Sequence, residues 1–140
     1  MIEVIVVIVI MGILLAYVFF RTTNNNNLQT EVDMFKSHLR YVQYIALCGD
    51  NTYIWRVNAG ANSYAFSRLA VATGASVNMI LPGEISGTHT FAPGVTLVAG
   101  AGMINFDQWG SPGGNNIIIT LRQGGVPTGI SITKNTGFIQ

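Results

Sequence analysis

Few residues of this 140-residue chain have the types and spacing that chemistry requires. Two histidines, His38 and His89, and a single cysteine, Cys48, are the side chains best suited to metal binding or catalysis. One cysteine excludes an intrachain disulfide and any site that needs several thiolates. No glycine-framed serine marks a nucleophile, and Gly100-x-Gly102 lacks the third glycine of a dinucleotide-binding loop. The sequence therefore predicts no enzyme, no cofactor and no metal site.

One acidic residue, Glu3, stands at the start of a long apolar run. Residues 4–20 contain no charged side chain, and Tyr17 carries the only side-chain hydrogen-bonding group among them. At a rise of about 1.5 Å per residue, residues 1–20 would form a helix as long as a hydrocarbon core is thick. A carboxylate among apolar helices is costly unless it is paired. Glu3 therefore indicates either an assembly contact or a side chain that reaches water at the headgroup level of a membrane.

Two other interpretations of the apolar run fit less well. A cleaved secretory signal peptide would carry basic residues before the run and a small-residue cleavage site after it, and the sequence shows neither. A plain membrane anchor explains the run and leaves Glu3 unexplained.

The chain divides into three segments of different composition. Residues 1–23 are predicted to form an apolar membrane or filament-core helix, and residues 24–48 an amphipathic helix. Residues 49–140 hold all four prolines and nearly all of the 16 glycines, which is typical of short strands joined by turns. Asparagine is a weak helix former that competes for backbone hydrogen bonds. A loosened turn or break is therefore predicted at four consecutive positions: Asn24, Asn25, Asn26 and Asn27.

The amphipathic helix has one apolar face, whose residues recur three and four positions apart. They are Leu28, Val32, Phe35, Leu39, Val42 and Ala46. Glu31 lies off this face, and His38 is assigned to the charged side of the helix. Cys48 is predicted to be a small buried residue at the helix end, and Gly49 is a natural stop. The apolar face is predicted to pack on a sheet.

Eight short runs rich in β-branched and aromatic residues follow, separated by turn signals. They are residues 52–57, 62–66, 77–81, 88–91, 95–99, 103–106, 116–122 and 129–133. Strands joined by short turns predict an antiparallel sheet and an α+β fold. Trp109, in the glycine-rich stretch 107–116, is either a contact residue for a partner or packs under its own loop. The net charge of +1 without a basic cluster predicts no nucleic-acid partner.

The stretch MIEVIVVIVIMGILLA, residues 1–16, resembles the N-terminal signature of the type IV pilin superfamily nearly position by position. INFDQWGSPGG and the ending TGFIQ are similar to the H-type, FimT-like branch of minor pilins and pseudopilins. The resemblance implies the pilin fold, in which a long N-terminal helix packs its second half on an antiparallel sheet. It also implies a structural subunit of a type IV pilus-like filament, or a minor pseudopilin of type II secretion. A membrane-anchored periplasmic binding module is the rival class, and it would not need Glu3.

The same resemblance assigns Glu3 the role of an assembly carboxylate, whose partner in the family is proposed to be the N-terminal amine of a neighbouring subunit. It implies a homo-oligomeric helical filament with the apolar helix in its core. The residues assigned to packing there are Val4, Ile5, Val7, Ile8, Met11, Gly12 and Leu15. Before assembly the helix would lie in the inner membrane, from which pilus or secretion machinery would extract it into an extracellular or periplasmic filament. Family members have four residues, often starting with a methylated phenylalanine, before this glutamate, whereas two precede Glu3 here.

Overall fold

A computed structural model of the chain describes the backbone of residues 2–140 and the side chains of residues 3–18 and 27–140. One helix, α1 (Ile2–Cys48), precedes eight strands. The strands are β1 (Tyr53–Ala59), β2 (Ser63–Ala70), β3 (Ser76–Met79), β4 (Thr88–Thr90), β5 (Val95–Ala99), β6 (Gly102–Phe106), β7 (Ile117–Gln123) and β8 (Val126–Ile132). Each strand overlaps one of the eight predicted runs, and the predicted α+β fold class is confirmed.

The strands form two antiparallel sheets, where the sequence pattern predicts one. The first sheet has the order β3-β2-β1-β6, and β4 also pairs with β2. The second has the order β5-β7-β8, and residue Ile139 near the C-terminus forms a bridge with Ile132 of β8. Local alternation identifies each strand, but it does not specify which distant strand becomes its neighbour.

The second half of α1 packs on both sheets through the predicted apolar face. Leu28 is 4% exposed and Ala46 1%, and the four predicted face residues between them are completely buried. Ring packing forms the centre of this interface, because Phe35 stacks on Tyr64 of β2 with centroids 4.3 Å apart. One hydrophobic core therefore joins the helix to the strands of both sheets.

Three side chains near this interface differ from the sequence prediction. Glu31 and His38, expected on the polar side of the helix, are only 7% and 5% exposed. The strands and the loop 80–87 cover the flank of the helix as well as its apolar stripe, so polar residues beside the stripe are buried too. Cys48 is exposed rather than buried, because it lies in the last turn of α1 beyond the buried Ala46.

The helix ends where predicted, at Cys48, and Gly49 follows it. A Cβ at Gly49 would lie 3.1 Å from both the Ile45 carbonyl oxygen and the Trp55 indole nitrogen. The Trp55 indole of β1 approaches the backbone of residue 49 so closely that a side chain there would be crowded, and glycine avoids this.

Candidate functional site

The most unusual surface of the protein is the N-terminal segment of α1, residues 3–18. Every large apolar side chain from Val4 to Val18 is between 50% and 70% exposed. The first side chain of the described part of the helix that enters the core is Leu28. Folded monomers rarely expose continuous apolar surfaces of this kind outside a functional interface. We name residues 3–18 the apolar segment.

Glu3 lies in the first turn of α1 and is exposed. A carboxylate in that position interacts favourably with the unpaired N–H groups and the positive end of the helix dipole. The residues assigned to filament packing all lie on the apolar segment, and each apolar side chain among them is exposed: Val4, Ile5, Val7, Ile8, Met11 and Leu15. A Cβ added at Gly12 would meet no described atom within 4 Å. The segment is thus accessible, while the packing roles stay predictions.

The backbone of α1 is helical through residues 22–27, where the sequence predicts a loosened turn or break. Asn24, Asn25 and Asn26 belong to residues 19–26, whose side chains are not described, and Asn27 is exposed. The predicted apolar run reaches Phe20, and the side chains of its last two residues are likewise not described. In the helical residues with described side chains, no stretch has both the length and the apolar character needed to cross a membrane.

Trp109 is displayed at the other end of α1 by a short, well-bonded loop. The Asp107 carboxylate accepts hydrogen bonds from the backbone N–H groups of Trp109 and Ser111, at 2.9 and 2.8 Å. The next residue, Gly110, lies against Leu47 of the helix, whose Cγ would be 3.0 Å from a Cβ at that position. Trp109 is nevertheless 73% exposed, so it does not pack under its own loop. Its role as a contact residue stays a prediction.

A polar cluster lies at the interface between α1 and the first sheet. His89 of β4 places Nε2 at 2.9 Å from the Glu31 carboxylate and Nδ1 at 2.5 Å from the Glu84 carboxylate. The second oxygen of Glu31 accepts a hydrogen bond from the backbone N–H of Ala92 at 3.0 Å. The side chains of His89 and Glu31 are 10% and 9% exposed, and that of Glu84 is 21% exposed. This set of contacts joins the helix, β4 and the loop 80–87.

His38 forms a second polar contact beside the first. Its Nδ1 lies 2.6 Å from the Tyr64 hydroxyl, and its Nε2 lies 3.0 Å from the Pro82 carbonyl oxygen. A carbonyl only accepts, so Nε2 carries a proton and donates to Pro82. In the neutral ring Nδ1 then accepts from the Tyr64 hydroxyl. His38 therefore fastens the same loop to the helix through its Nε2–H.

The surroundings of His89 act on its proton affinity in opposite directions. Burial lowers the pKa of His89, but hydrogen bonds to Glu31 and Glu84 and the charges of both carboxylates outweigh burial, and the net pKa is raised. Burial, with the charges of the same two carboxylates, also raises the pKa of Tyr64, which therefore stays a hydrogen-bond donor. The charged form of His89 is the one that this site favours.

Sequence reasoning missed this cluster, although the spacing held a signal. Glu31 and His38 lie seven residues apart, and each immediately precedes a residue of the apolar face, Val32 or Leu39. Positions that flank a buried stripe are covered when the partner surface is wide. Both His89 nitrogens are occupied by carboxylates, and in the described part of the chain no group of His, Cys, Asp and Glu side chains is arranged to hold a metal ion.

The fold is similar to that of a solved minor pseudopilin. No protein-family model matches the chain, and no curated protein matches its sequence. The structure is similar to that of the minor pseudopilin EpsH from the type 2 secretion system of Vibrio cholerae, with a TM-score of 0.61. The two sequences are 11% identical over a superposition that covers 81% of this chain and 94% of EpsH. The chain has a pseudopilin fold.

This likeness agrees with the fold that the N-terminal signature implies. It concerns architecture, since identity at this level does not carry residue roles from one protein to the other. The finer assignment to the FimT-like branch rests on sequence resemblance alone.

Proposed function

We propose that this protein is a structural subunit that polymerises through its N-terminal helix into a type IV pilus-like filament. The observation that carries the proposal is the apolar segment, which is exposed along its whole described length and begins with Glu3. Its role is mechanical rather than catalytic.

The physical argument starts from the cost of apolar surface in water. Each Å² of such surface costs about 25 cal/mol, so a segment of this length cannot remain exposed in water without binding something. Lipid covers it before assembly, and the helices of neighbouring copies cover it afterwards. Both environments are apolar, which allows transfer between them without unfolding the domain that packs on residues 28–46.

Glu3 gives the assembly a fixed position. Apolar side chains adhere in many registers, whereas a buried carboxylate needs a specific donor or positive partner. A neighbouring subunit that supplies this partner sets the axial position of each new copy. In this proposal the protein lies in the inner membrane first and then in an extracellular or periplasmic filament, after extraction by pilus or secretion machinery.

Two alternative functions are compatible with the same fold. The structural likeness to EpsH favours a minor pseudopilin of type II secretion. In that case the subunit would join a periplasmic filament of the secretion system. A membrane-anchored periplasmic binding module would use the apolar segment for anchoring alone. The three functions differ in whether the subunit enters a filament, and in whether that filament is a pilus or a secretion pseudopilus.

The deciding experiment shortens one apolar side chain in the apolar segment and an equally exposed one elsewhere. Ile8 of the apolar segment and Ile118 of β7 are each 64% exposed. We expect Ile8→Ala to reduce the amount of the protein in sheared filaments while its level in the membrane fraction is unchanged. Ile118→Ala should leave both quantities at the wild-type level.

An Ile8→Ala variant that enters filaments normally would contradict helix-mediated polymerisation. A wild-type protein found only in the membrane fraction would favour the binding module. Incorporation into a filament that disappears when the secretion system is deleted would favour the pseudopilin.

A further inference from the structure

The loop between β3 and β4, residues 80–87, is held by two histidines, His38 of the helix and His89 of β4, which itself contacts Glu31 of the helix. His38 donates to the Pro82 carbonyl oxygen, and His89 contacts Glu84 two residues further along. Gly83, between these two points, adopts a positive φ of 83°. The loop is therefore attached at two separate points with a flexible residue type between them.

The contacts of His89 can coexist only in one protonation state. An ionised carboxylate accepts hydrogen bonds and cannot donate them. His89 faces a carboxylate at each ring nitrogen, so both nitrogens must carry protons for both contacts to form. A neutral imidazole has one N–H, and its other nitrogen would direct a lone pair at a carboxylate oxygen.

We propose that Glu31, His89 and Glu84 form a proton-dependent latch, which holds residues 83–86 in place while His89 is protonated and releases them when it is not. Gly87 stays on β2, because its carbonyl oxygen accepts from the Phe66 N–H at 3.3 Å. This latch goes beyond the filament role and does not depend on it.

The geometry indicates which contact opens. Glu31 is held additionally by the Ala92 N–H and lies deeper, whereas Glu84 is on a loop and its side chain is more exposed. The Glu84 carboxylate can replace its hydrogen bond to His89 by one to water, because it is partly exposed. The more deeply buried Glu31 carboxylate would lose its hydrogen bond without replacement. On loss of the proton we therefore expect the remaining N–H to stay with Glu31 and the contact to Glu84 to break.

The other groups around His89 leave this choice unchanged. The Tyr64 ring of β2 lies 4.9 Å from the His89 ring, and the His38 ring of α1 lies 6.1 Å from it. The Tyr64 hydroxyl and His38 Nδ1 are hydrogen-bonded to each other, so neither group competes for the two carboxylates. The Nε2–H of His38 can donate to the Pro82 carbonyl oxygen whatever the state of Nδ1, and Gly87 is tied to Phe66 of β2, so release is confined to residues 83–86. The raised pKa of His89 is consistent with a latch that stays closed somewhat above the ordinary histidine range.

Release would change the surface that the protein presents. Ile85 lies in the released part of the loop and is completely exposed. The loop also borders an open cavity of about 400 Å³, lined by residues of the helix such as Met34 and Ser37. Proton loss would therefore widen this cavity and loosen the backbone that carries Ile85.

The latch is tested by amide exchange of the full chain in detergent micelles, from about pH 5.5 to about pH 8.5. The reporter is the backbone N–H of Glu84, which donates to the Leu81 carbonyl oxygen at 3.1 Å. Its protection factor, corrected for the intrinsic pH dependence of exchange, should fall as pH rises. The protection factor should fall by about tenfold for each unit by which the closed loop raises the His89 pKa. That pKa is measured from the ring nitrogen resonances. Amides of β7 should keep constant protection.

Two variants separate the latch from general effects of pH. In Glu84→Gln the new amide can donate to unprotonated Nδ1, so we expect Glu84-position protection to become independent of pH. Asp33→Asn removes an exposed carboxylate from the same helix and should retain the wild-type response. A wild-type protection factor that does not change with pH, or a Glu84→Gln variant that keeps the fall, would overturn the proposal.

The ring resonances of wild-type His89 provide a test that needs no variant. We expect both ring nitrogens to be protonated in the closed state. A singly protonated His89 in molecules whose Glu84 amide is still fully protected would also overturn the latch.

Discussion

The carboxylate of Glu31 and the imidazole of His89 meet at 2.9 Å although 58 residues separate them in the chain. Glu31 belongs to the helix and His89 to β4, so the contact joins the N-terminal helix to the first sheet. Both side chains are almost completely buried. Removal of one partner from a buried pair of this kind strongly destabilises the fold, whereas replacement of both partners by apolar residues often does not. We therefore infer that the pair contributes more to the specificity of helix docking on the sheet than to net stability.

The raised pKa of His89 predicts how stability depends on pH. The folded state holds the proton more tightly than the unfolded chain, so protonation stabilises the fold. This stabilisation is complete below the ordinary pKa of 6.5 and is lost as pH rises through the higher folded-state pKa. Urea unfolding of the full chain in micelles should show a free energy that falls by about 1.4 kcal/mol for each unit of the shift.

Replacement of the histidine provides the control for this dependence. His89→Gln should be less stable at low pH and should lack the decrease above about pH 6.5. A variant with the same pH profile as the wild type would assign the dependence to another group.

Removal of residues 1–20 should leave a soluble, folded domain. The described side chains of the apolar segment are exposed, and the buried stripe of the helix begins only at Leu28. The truncated chain should therefore unfold cooperatively, with a stability changed by no more than about 1 kcal/mol. Circular dichroism during thermal unfolding and size-exclusion chromatography measure both properties. Aggregation or loss of the transition would mean that the two parts of the helix are not separable.

Glu3→Val should separate anchoring from assembly. The substitution makes the segment more apolar, so the level of protein in the membrane fraction should stay the same or increase. Filament incorporation should fall, because the side chain that pairs with a neighbour is gone and the pairing partner is left buried alone, at a cost of several kcal/mol. The measurement is the amount of variant in sheared filaments from cells in which it is the only copy.

Asp50→Asn, which neutralises an exposed carboxylate just beyond the helix, is the matched control and should assemble normally. Normal filaments from Glu3→Val would leave apolar packing as the sole axial determinant, as the plain-anchor alternative requires.

The four asparagines predict a local difference in exchange within the assembled filament. Amides of residues 22–27 should exchange faster than those of residues 30–46, because asparagine and threonine support a helix weakly. Replacement of Asn24, Asn25, Asn26 and Asn27 by alanine should reduce this difference. Equal protection along residues 5–48 of the wild-type filament would contradict the predicted break.

Gly137→Ala should destabilise the domain more than Gly124→Ala does. Both glycines have positive φ, 66° and 56°, so alanine is strained by about 1 kcal/mol at either position. A Cβ at Gly137 would also collide with the Gly110 carbonyl and the Gln43 amide, whereas one at Gly124 meets no described atom within 4 Å. The collision should add about 1–3 kcal/mol to the loss of unfolding free energy in urea. Equal losses of unfolding free energy in the two variants would show that Gly110 and Gln43 move away from the added Cβ at little cost.

Much of this architecture is determined by local sequence pattern. The three-and-four spacing from Leu28 to Ala46 specifies the buried face of the helix, because each helical turn returns a side chain to the same side. β-Branched runs and the turns between them likewise mark all eight strands. The charge-free run after Glu3 identifies the apolar segment, and its side chains are exposed because the strands pack only on the second half of the helix.

Only the tertiary structure decides the contacts between distant parts of the chain. The division of eight strands into two sheets depends on which strands become neighbours, and local alternation is the same in either arrangement. The burial of Glu31 and His38 depends on how far the strands and the loop 80–87 extend beyond the apolar stripe. The latch needs Glu31, Glu84 and His89 from three separate elements, and their hydrogen bonds form only at distances that the packing of helix on sheet sets.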